Sequence, residues 1–364
     1  MMSNSIQTVN NGGPHFLCET QPQASLIIHS NYPYPQPPEV SSTLHLPVPS
    51  QFPLLLARYS DNTVKLYTKA VRDFLYWCRL NGLAAPSIDV LDIVVTRYVH
   101  YLWSCGKGKD EATKVIYGIF MYYPRCRHKL PTSMQSLRGW YKLVPSKHYP
   151  PIAYNLAVLI SCKMASNGLF MHGLGCLLSF ECYLRIGELL GIKVQDIADN
   201  GDPRFGFDTS NQHMAILLPH TKTGPNKWVT VRDSNIQYLI RHSILRASPP
   251  LSRDDYLFPF SQNHFRSIIS CTLSSLGLDH IHYVPHSFRH GGATKDFMNG
   301  MSIEDIKVRG RWSSTQSVLN YLQSGRAILL SMSYPPHIFK QASTLAVQPL
   351  FSFLLSSLGS SSSP

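Results

Sequence analysis

Residues 285–297 read PHSFRHGGATKDF and gather two histidines, an arginine and two adjacent glycines where a helix is expected to begin. Pro285 closes the preceding segment, and Ser287 suits the cap or first turn of that helix. On a helix, His286 and Arg289 are three positions apart and share a face, so they could address one phosphate together. Gly291 and Gly292 leave room for close approach of a backbone or a ligand, or serve helix packing. Read alone, the stretch is equally compatible with a solvated helix start.

Phosphoryl transfer without a metal needs fixed cations on the non-bridging oxygens, a nucleophile, and an acid for the leaving oxygen. The second half of the chain holds one of each. Arg185 in YLRIGELLGIK stands at a helix boundary, with Glu188 able to orient its guanidinium, although such a pair is also an ordinary surface helix pair. Lys222 sits near the turn of TKTGPN. Trp312 in GRWSS offers an indole N–H that cannot titrate, and nine positions on Tyr321 in SVLNYLQS offers a phenol. In a helical setting Trp and Tyr also suit a core.

The elements that must carry these groups are mostly helices. Apolar spacing predicts helices from about 60 to 80, 88 to 105, 110 to 123 and 132 to 143, which together make a small all-helical domain. A Pro-containing linker follows near 145 to 151. Beyond it the chain stays helical except where HMAILLPH and KWVTVRDS flank TKTGPN, the pattern of a β-hairpin. Helices are expected again at about 234 to 247, 261 to 276, 286 to 299, 302 to 309 and 314 to 323. The expected class is therefore mainly α with a small β-hairpin or sheet. Its expected divisions are an arm over 1–53, a helical domain over 54–148, a larger domain over 151–332 and a tail over 333–364.

A length of 364 residues allows two domains and a sizeable core. The arm is rich in Pro, Ser, Asn and Gln, a composition expected to stay disordered. The formal charge of +12 favours a polyanionic partner. Residues 1–57 contain no Lys or Arg, whereas 54–149 hold 15 of them against 6 Asp or Glu. Aromatic residues such as Trp77, Tyr98, Trp103 and Trp140 interleave with those charges, in a pattern that fits a DNA-facing surface or a core. No apolar run is long enough to span a membrane, and the early lack of Lys and Arg argues against export. The eight cysteines form no CxxC pair and suit reduced core positions in an intracellular protein. No compact Cys or His pattern suggests a metal site, and no cofactor is called for.

Taken in order, Arg185 in YLRIGEL, Lys222 in TKTG, His286 and Arg289 in HSFR, Trp312 in GRW and Tyr321 in NYL resemble the active-site signature of tyrosine recombinases, the phage integrase family. The intervals from Arg289 to Trp312 and from Trp312 to Tyr321 are similar to those of the Cre-like members, which carry Trp where most have a second His. HSFRHGGAT with GRW and YLQSGR most resembles the recombinases of DIRS-like mobile elements.

The resemblance implies a helical core-binding (SAM-like) domain followed by an α+β catalytic domain that cleaves and rejoins double-stranded DNA, as a homotetramer in the synaptic complex. It makes Tyr321 the nucleophile of a 3′-phosphotyrosyl link, Arg185 and Arg289 the phosphate clamp, and Trp312 and His286 further oxyanion contacts. His286 would also take the tyrosine proton, and Lys222 would protonate the leaving 5′ oxygen. Lys227 and His290 remain alternatives to Lys222 and His286. A DNA-relaxing type IB topoisomerase and a silent DNA-binding derivative are the competing readings. The expected location is intracellular and DNA-associated, in the nucleus if the host is a eukaryote. The apolar LAVQPLFSFLL at 345–355 either folds back on its own domain or docks on a neighbouring protomer.

Overall fold

A computed structural model describes residues 53–145, 149–199, 202, 204, 214–221 and 224–347. All of the expected arm but Pro53, and the expected general acid Lys222, lie outside the described residues. Contacts divide the chain into two units, one ending at Ser146 and the other beginning at Lys147.

The first unit is helical: α1 (Pro53–Leu56), α2 (Asp61–Leu80), α3 (Ile88–Ser104), α4 (Lys109–Tyr122) and α5 (Pro131–Leu143). Serine starts two of them, Ser60 accepting from the Thr63 amide and Ser87 from the Val90 amide. Val71, Phe74, Val95, Ile116, Leu130 and Trp140 contribute to its core. Asp92 is buried inside α3, yet it is satisfied. It accepts from the amides of Thr132 and Ser133, each at 2.9 Å, and from Ser133 Oγ at 2.6 Å, so it caps α5 from a neighbouring helix. The aromatic residues divide: Tyr98 and Trp140 are buried, while Tyr76, Tyr101 and Trp103 are exposed.

The second unit opens with α6 (Tyr154–Ser166) and α7 (Phe170–Glu181), apolar nearly all round and therefore central to its core. Next come α8 (Ile186–Leu190), β1 (Ile197–Ala198), β2 (Met214–Thr221) and β3 (Gly224–Val231). The strands form an antiparallel sheet in the order β1-β2-β3, with Met214 opposite Val231 and His220 opposite Pro225, so the hairpin is accompanied by one short strand. The remaining helices are α9 (Ser234–Leu245), α10 (Gln262–Ser275), α11 (Pro285–Met298), α12 (Ile303–Gly310), α13 (Thr315–Leu319), α14 (Ser324–Met332) and α15 (Pro336–Val347).

Two features differ from the sequence reading. The helix expected over 314–323 ends at Leu319, which leaves Tyr321 in a turn. The YPP at 334–336, a sequence pattern expected to cut the tail off from the preceding helices, does not detach the chain from the core. Tyr334 is buried with its hydroxyl 2.7 Å from that of Tyr283, and Ile338 and Ala342 of α15 join the core beside α6. Of LAVQPLFSFLL, residues 345–347 end α15 and the rest lies outside the described residues. Among the described residues no helix is long and apolar enough to cross a membrane.

The glycine pair of the opening motif serves backbone packing. A Cβ at Gly291 would lie 2.2 Å from the Ile152 carbonyl oxygen, and one at Gly292 would lie 2.0 Å from that of Phe180. Neither neighbour is a flexible side chain, so α11 could not keep its distance from α7. Gly292→Ala should therefore destabilise the second unit by about 3 kcal/mol, the upper end of overpacking costs. Urea titration of the full chain followed by circular dichroism checks this, and a midpoint equal to the parent's would contradict it.

Candidate active site

The site begins where α7 stops. Tyr183 takes a positive φ of 48°, a sharp turn for a non-glycine residue, and its ring is buried with the hydroxyl donating to Asp296. This turn aims the Tyr183 carbonyl at two guanidinium groups. Arg289 Nη1 donates to it, and Arg311 Nη2 donates to it at 3.1 Å. Arg289 is 0% exposed, and its Nη2 reaches the Gly310 carbonyl at 2.7 Å.

Glu188 supplies the negative charge that makes this burial tolerable. Arg185 is the N-cap of α8. Its amide donates to Glu188 Oε2 at 2.9 Å, and its Nη1 donates to Oε1 at 2.6 Å. Arg311 Nη2 donates to Oε2 at 2.9 Å, and Arg289 Nη1 lies 3.8 Å from the same oxygen. Burial alone would raise the Glu188 pKa, but Arg311, the Arg185 amide, Arg289 and Arg185 together hold it below the ordinary carboxylate value. Burial, Arg185 and Arg311 pull Arg289 down, to about 9, which still leaves it protonated at neutral pH.

Tyr321 is fastened to one face of α11. Its hydroxyl is 2.9 Å from His286 Nε2, and its ring stacks on His290 with centroids 4.3 Å apart. Thr294 Oγ1 donates to its carbonyl at 3.3 Å. Residues 286, 290 and 294 are spaced by four, so they line one stripe of the helix. Trp312 packs edge-on against the Tyr321 ring at 4.8 Å, and the Arg289 guanidinium lies 4.4 Å from the Trp312 ring. The Trp312 indole N–H is buried with no hydrogen-bond partner among the described residues. Burial, then Arg289 and Arg185, lower the His286 pKa to about 4, so its imidazole is neutral at neutral pH.

Five of the six residues expected from the sequence thus meet: Arg185, His286, Arg289, Trp312 and Tyr321. Lys222 lies outside the described residues. Lys227, its alternative, is exposed on β3 opposite Leu218. His290, the alternative to His286, touches the tyrosine ring and backbone rather than its hydroxyl. Sequence reasoning missed Arg311 and the Tyr183 carbonyl, because a backbone turn and a buried fork leave no spacing signal. Among the described residues no group of three or more His, Cys, Asp or Glu could hold a metal ion.

Residues 162–327 match the family model described as the phage integrase family. None of the curated proteins compared with the chain matches it. Among solved structures, it is similar to a lambda integrase dimer bound to a COC′ core site, with 12% identity and a TM-score of 0.49 over 76% of each chain. The Tn1549 transposon integrase in complex with circular intermediate DNA shows 14% identity and a TM-score of 0.46 over 73% of this chain and 98% of that one. XerA recombinase shows 17% identity and a TM-score of 0.39 over 78% of this chain and 95% of that one.

The depressed His286 pKa carries a stability signature. The unfolded chain protonates this histidine near pH 6.5 and the folded one near 4, so its contribution is complete above about 6.5 and is lost as pH falls toward 4. His286→Gln should therefore lose less stability than the parent between about pH 7 and pH 5. Urea midpoints of both proteins across that range check it, and parallel losses would mean that His286 titrates normally.

Proposed function

Residues 162–327 form a domain of the phage integrase family, the tyrosine recombinases, and from that premise we propose how this chain's own residues cleave and rejoin DNA. The observation that carries the reading is the Tyr321 hydroxyl held 2.9 Å from a neutral imidazole, beside a buried arginine cluster and an indole N–H unpartnered among the described residues.

A scissile phosphate at this place is clamped by Arg185 and Arg289, with the Trp312 N–H on a non-bridging oxygen. These donors stabilise charge as it develops on the phosphorane oxygens, and they need little reorganisation because the guanidinium groups are fixed by their partners and the indole by packing. His286 takes the phenolic proton as the Tyr321 oxygen attacks phosphorus. The P–O5′ bond breaks, and Lys222 gives its proton to the departing 5′ oxygen. The products are a 3′-phosphotyrosyl ester and a free 5′-hydroxyl. The ester keeps the energy of the phosphodiester, so the reverse attack by a 5′-hydroxyl rejoins the strand without a nucleotide cofactor.

The substrate we assign is double-stranded DNA, in keeping with a net charge of +12. Exchange between two sites calls for a synaptic homotetramer. The HSFRHGGAT and GRW stretches favour integration of a DIRS-like mobile element as the biological role. A plasmid bearing two sites separates recombination from relaxation: joint products support the reading, and relaxation alone would support a topoisomerase.

Tyr321→Phe removes a single oxygen, so it should bind DNA within about threefold of the parent, the range of a substitution that leaves the fold intact. It should form no SDS-stable adduct on nicked half-site DNA, and an adduct that persists in this variant would remove Tyr321 from its role. Lys222→Ala should cleave slowly on an ordinary strand and recover on a strand with sulfur at the 5′ bridging position, since a thiolate leaves without a proton donor. Recovery by Lys227→Ala instead would assign the acid to Lys227.

A further inference from the structure

Arg311 lies outside the six-residue signature, and its backbone is in an unexpected region. It closes α12 with φ 57° and ψ 39°, the left-handed conformation in which glycine rests without strain and other residues do not. Its side chain is only 4% exposed. A buried guanidinium on a strained backbone persists only where its surroundings hold it, and here each terminal nitrogen has two acceptors. Nη1 donates to the carbonyls of Cys182 at 3.2 Å and Arg309 at 3.1 Å. Nη2 donates to the Tyr183 carbonyl at 3.1 Å and to Glu188 Oε2 at 2.9 Å.

The last two acceptors are the ones that orient the clamp. The Tyr183 carbonyl also accepts from Arg289, and Glu188 also holds Arg185. The left-handed turn has a second effect. It folds the Trp312 ring back over Gly310, where an added Cβ would lie 1.7 Å from the ring, and so brings the indole toward Arg289 and Tyr321. Building on the proposed recombinase reading, we infer that Arg311 is a positioning residue of the phosphate clamp. It fixes the Glu188 carboxylate and the Tyr183 carbonyl, through them the guanidinium forks of Arg185 and Arg289, and through its own backbone the direction of Trp312. It does not touch the phosphate.

The test uses the full chain and a pool of nicked half-site DNA of random sequence, scored for SDS-stable adducts in single turnover. Arg311→Gly removes the fork and relaxes the backbone, so it should fold. It should slow adduct formation by about 10- to 100-fold, the usual cost of removing an orienting partner. Binding to the same DNA should change by less than about threefold, and millimolar guanidinium should restore part of the rate by refilling the vacated space. Arg311→Gly combined with Glu188→Gln should be no slower than the slower single variant, because the two act as one unit.

Adduct formation by Arg311→Gly within about threefold of the parent rate would overturn the inference, since an effect that small is what an uninvolved residue gives. Multiplicative losses in the double variant would overturn it too. If Arg311→Gly does not fold, Arg311→Lys keeps the charge without the fork: a comparable slowing supports the inference, and a parental rate overturns it. A parent that forms no Tyr321-dependent adduct removes the recombinase reading and this inference with it. A parent that does, beside an unaffected Arg311 variant, removes the inference alone.

Discussion

One buried carboxylate makes the centre of the second unit possible. Glu188 faces Arg185, Arg289 and Arg311, so three positive charges gather around one negative charge in a region with little access to water. Isolated, the Arg289 and Arg311 guanidiniums would each cost several kcal/mol to bury, and removing the carboxylate they share typically costs about 3–5 kcal/mol. The imbalance is absorbed by carbonyls. Tyr183, Gly310, Cys182 and Arg309 turn their oxygens inward, and each accepts from an arginine nitrogen. The cluster is thus neutralised only in part, and a surplus of positive charge lies next to a phenol and an indole N–H. A phosphodiester would meet that surplus with its own charge, while its non-bridging oxygens would occupy unused donors.

The same helix delivers most of the parts. On α11, His286, His290 and Thr294 recur every four residues and hold Tyr321 by its hydroxyl, its ring and its carbonyl, while Arg289 reaches the carboxylate cluster from a neighbouring stripe. The side of the helix bearing Gly291 and Gly292 lies against backbone of Ile152 and Phe180. Relative placement of His286, Arg289 and Tyr321 therefore depends on one rigid helix and on how closely it seats. A change in the seating face would move all of them together, so the two glycines that set the seating also set the geometry of the site.

Much of this was legible in the sequence, for a physical reason in each case. Apolar spacing and serine caps locate helices because period and capping are local properties, and Ser60, Ser87, Ser261, Ser302 and Ser314 each accept from an amide three residues on. The residues of the site were recognisable because their types and order are few. Other features depend on through-space geometry. The glycine pair left packing and ligand approach open until the distances to carbonyl oxygens decided for packing. Arg311 looks like any surface basic residue until its φ and its four acceptors are seen. The helix ending at Leu319 rather than 323 likewise follows from tertiary contacts, since nothing in SVLNYLQS stops a helix. In the sequence Lys222 has Lys227 as an alternative in the same hairpin, and Lys222 lies outside the described residues.

That early helix end explains how Tyr321 is held. Inside a helix, the backbone carbonyl of Tyr321 would be committed to a residue four positions on. In the turn between α13 and α14 it accepts instead from Thr294, and the next residues bind back to α11 through Gln323, whose amide reaches Thr294 Oγ1 at 3.4 Å and whose side chain reaches His290 at 3.2 Å. The segment after the tyrosine adds little packing of its own, as α14 contains no fully buried residue. Position is therefore imposed on Tyr321 by side chains of α11 rather than by its own helix. The partners of the Tyr321 hydroxyl and the anchors of its ring and backbone come from one helix, and the turn is the local structure that frees the tyrosine backbone to be held this way.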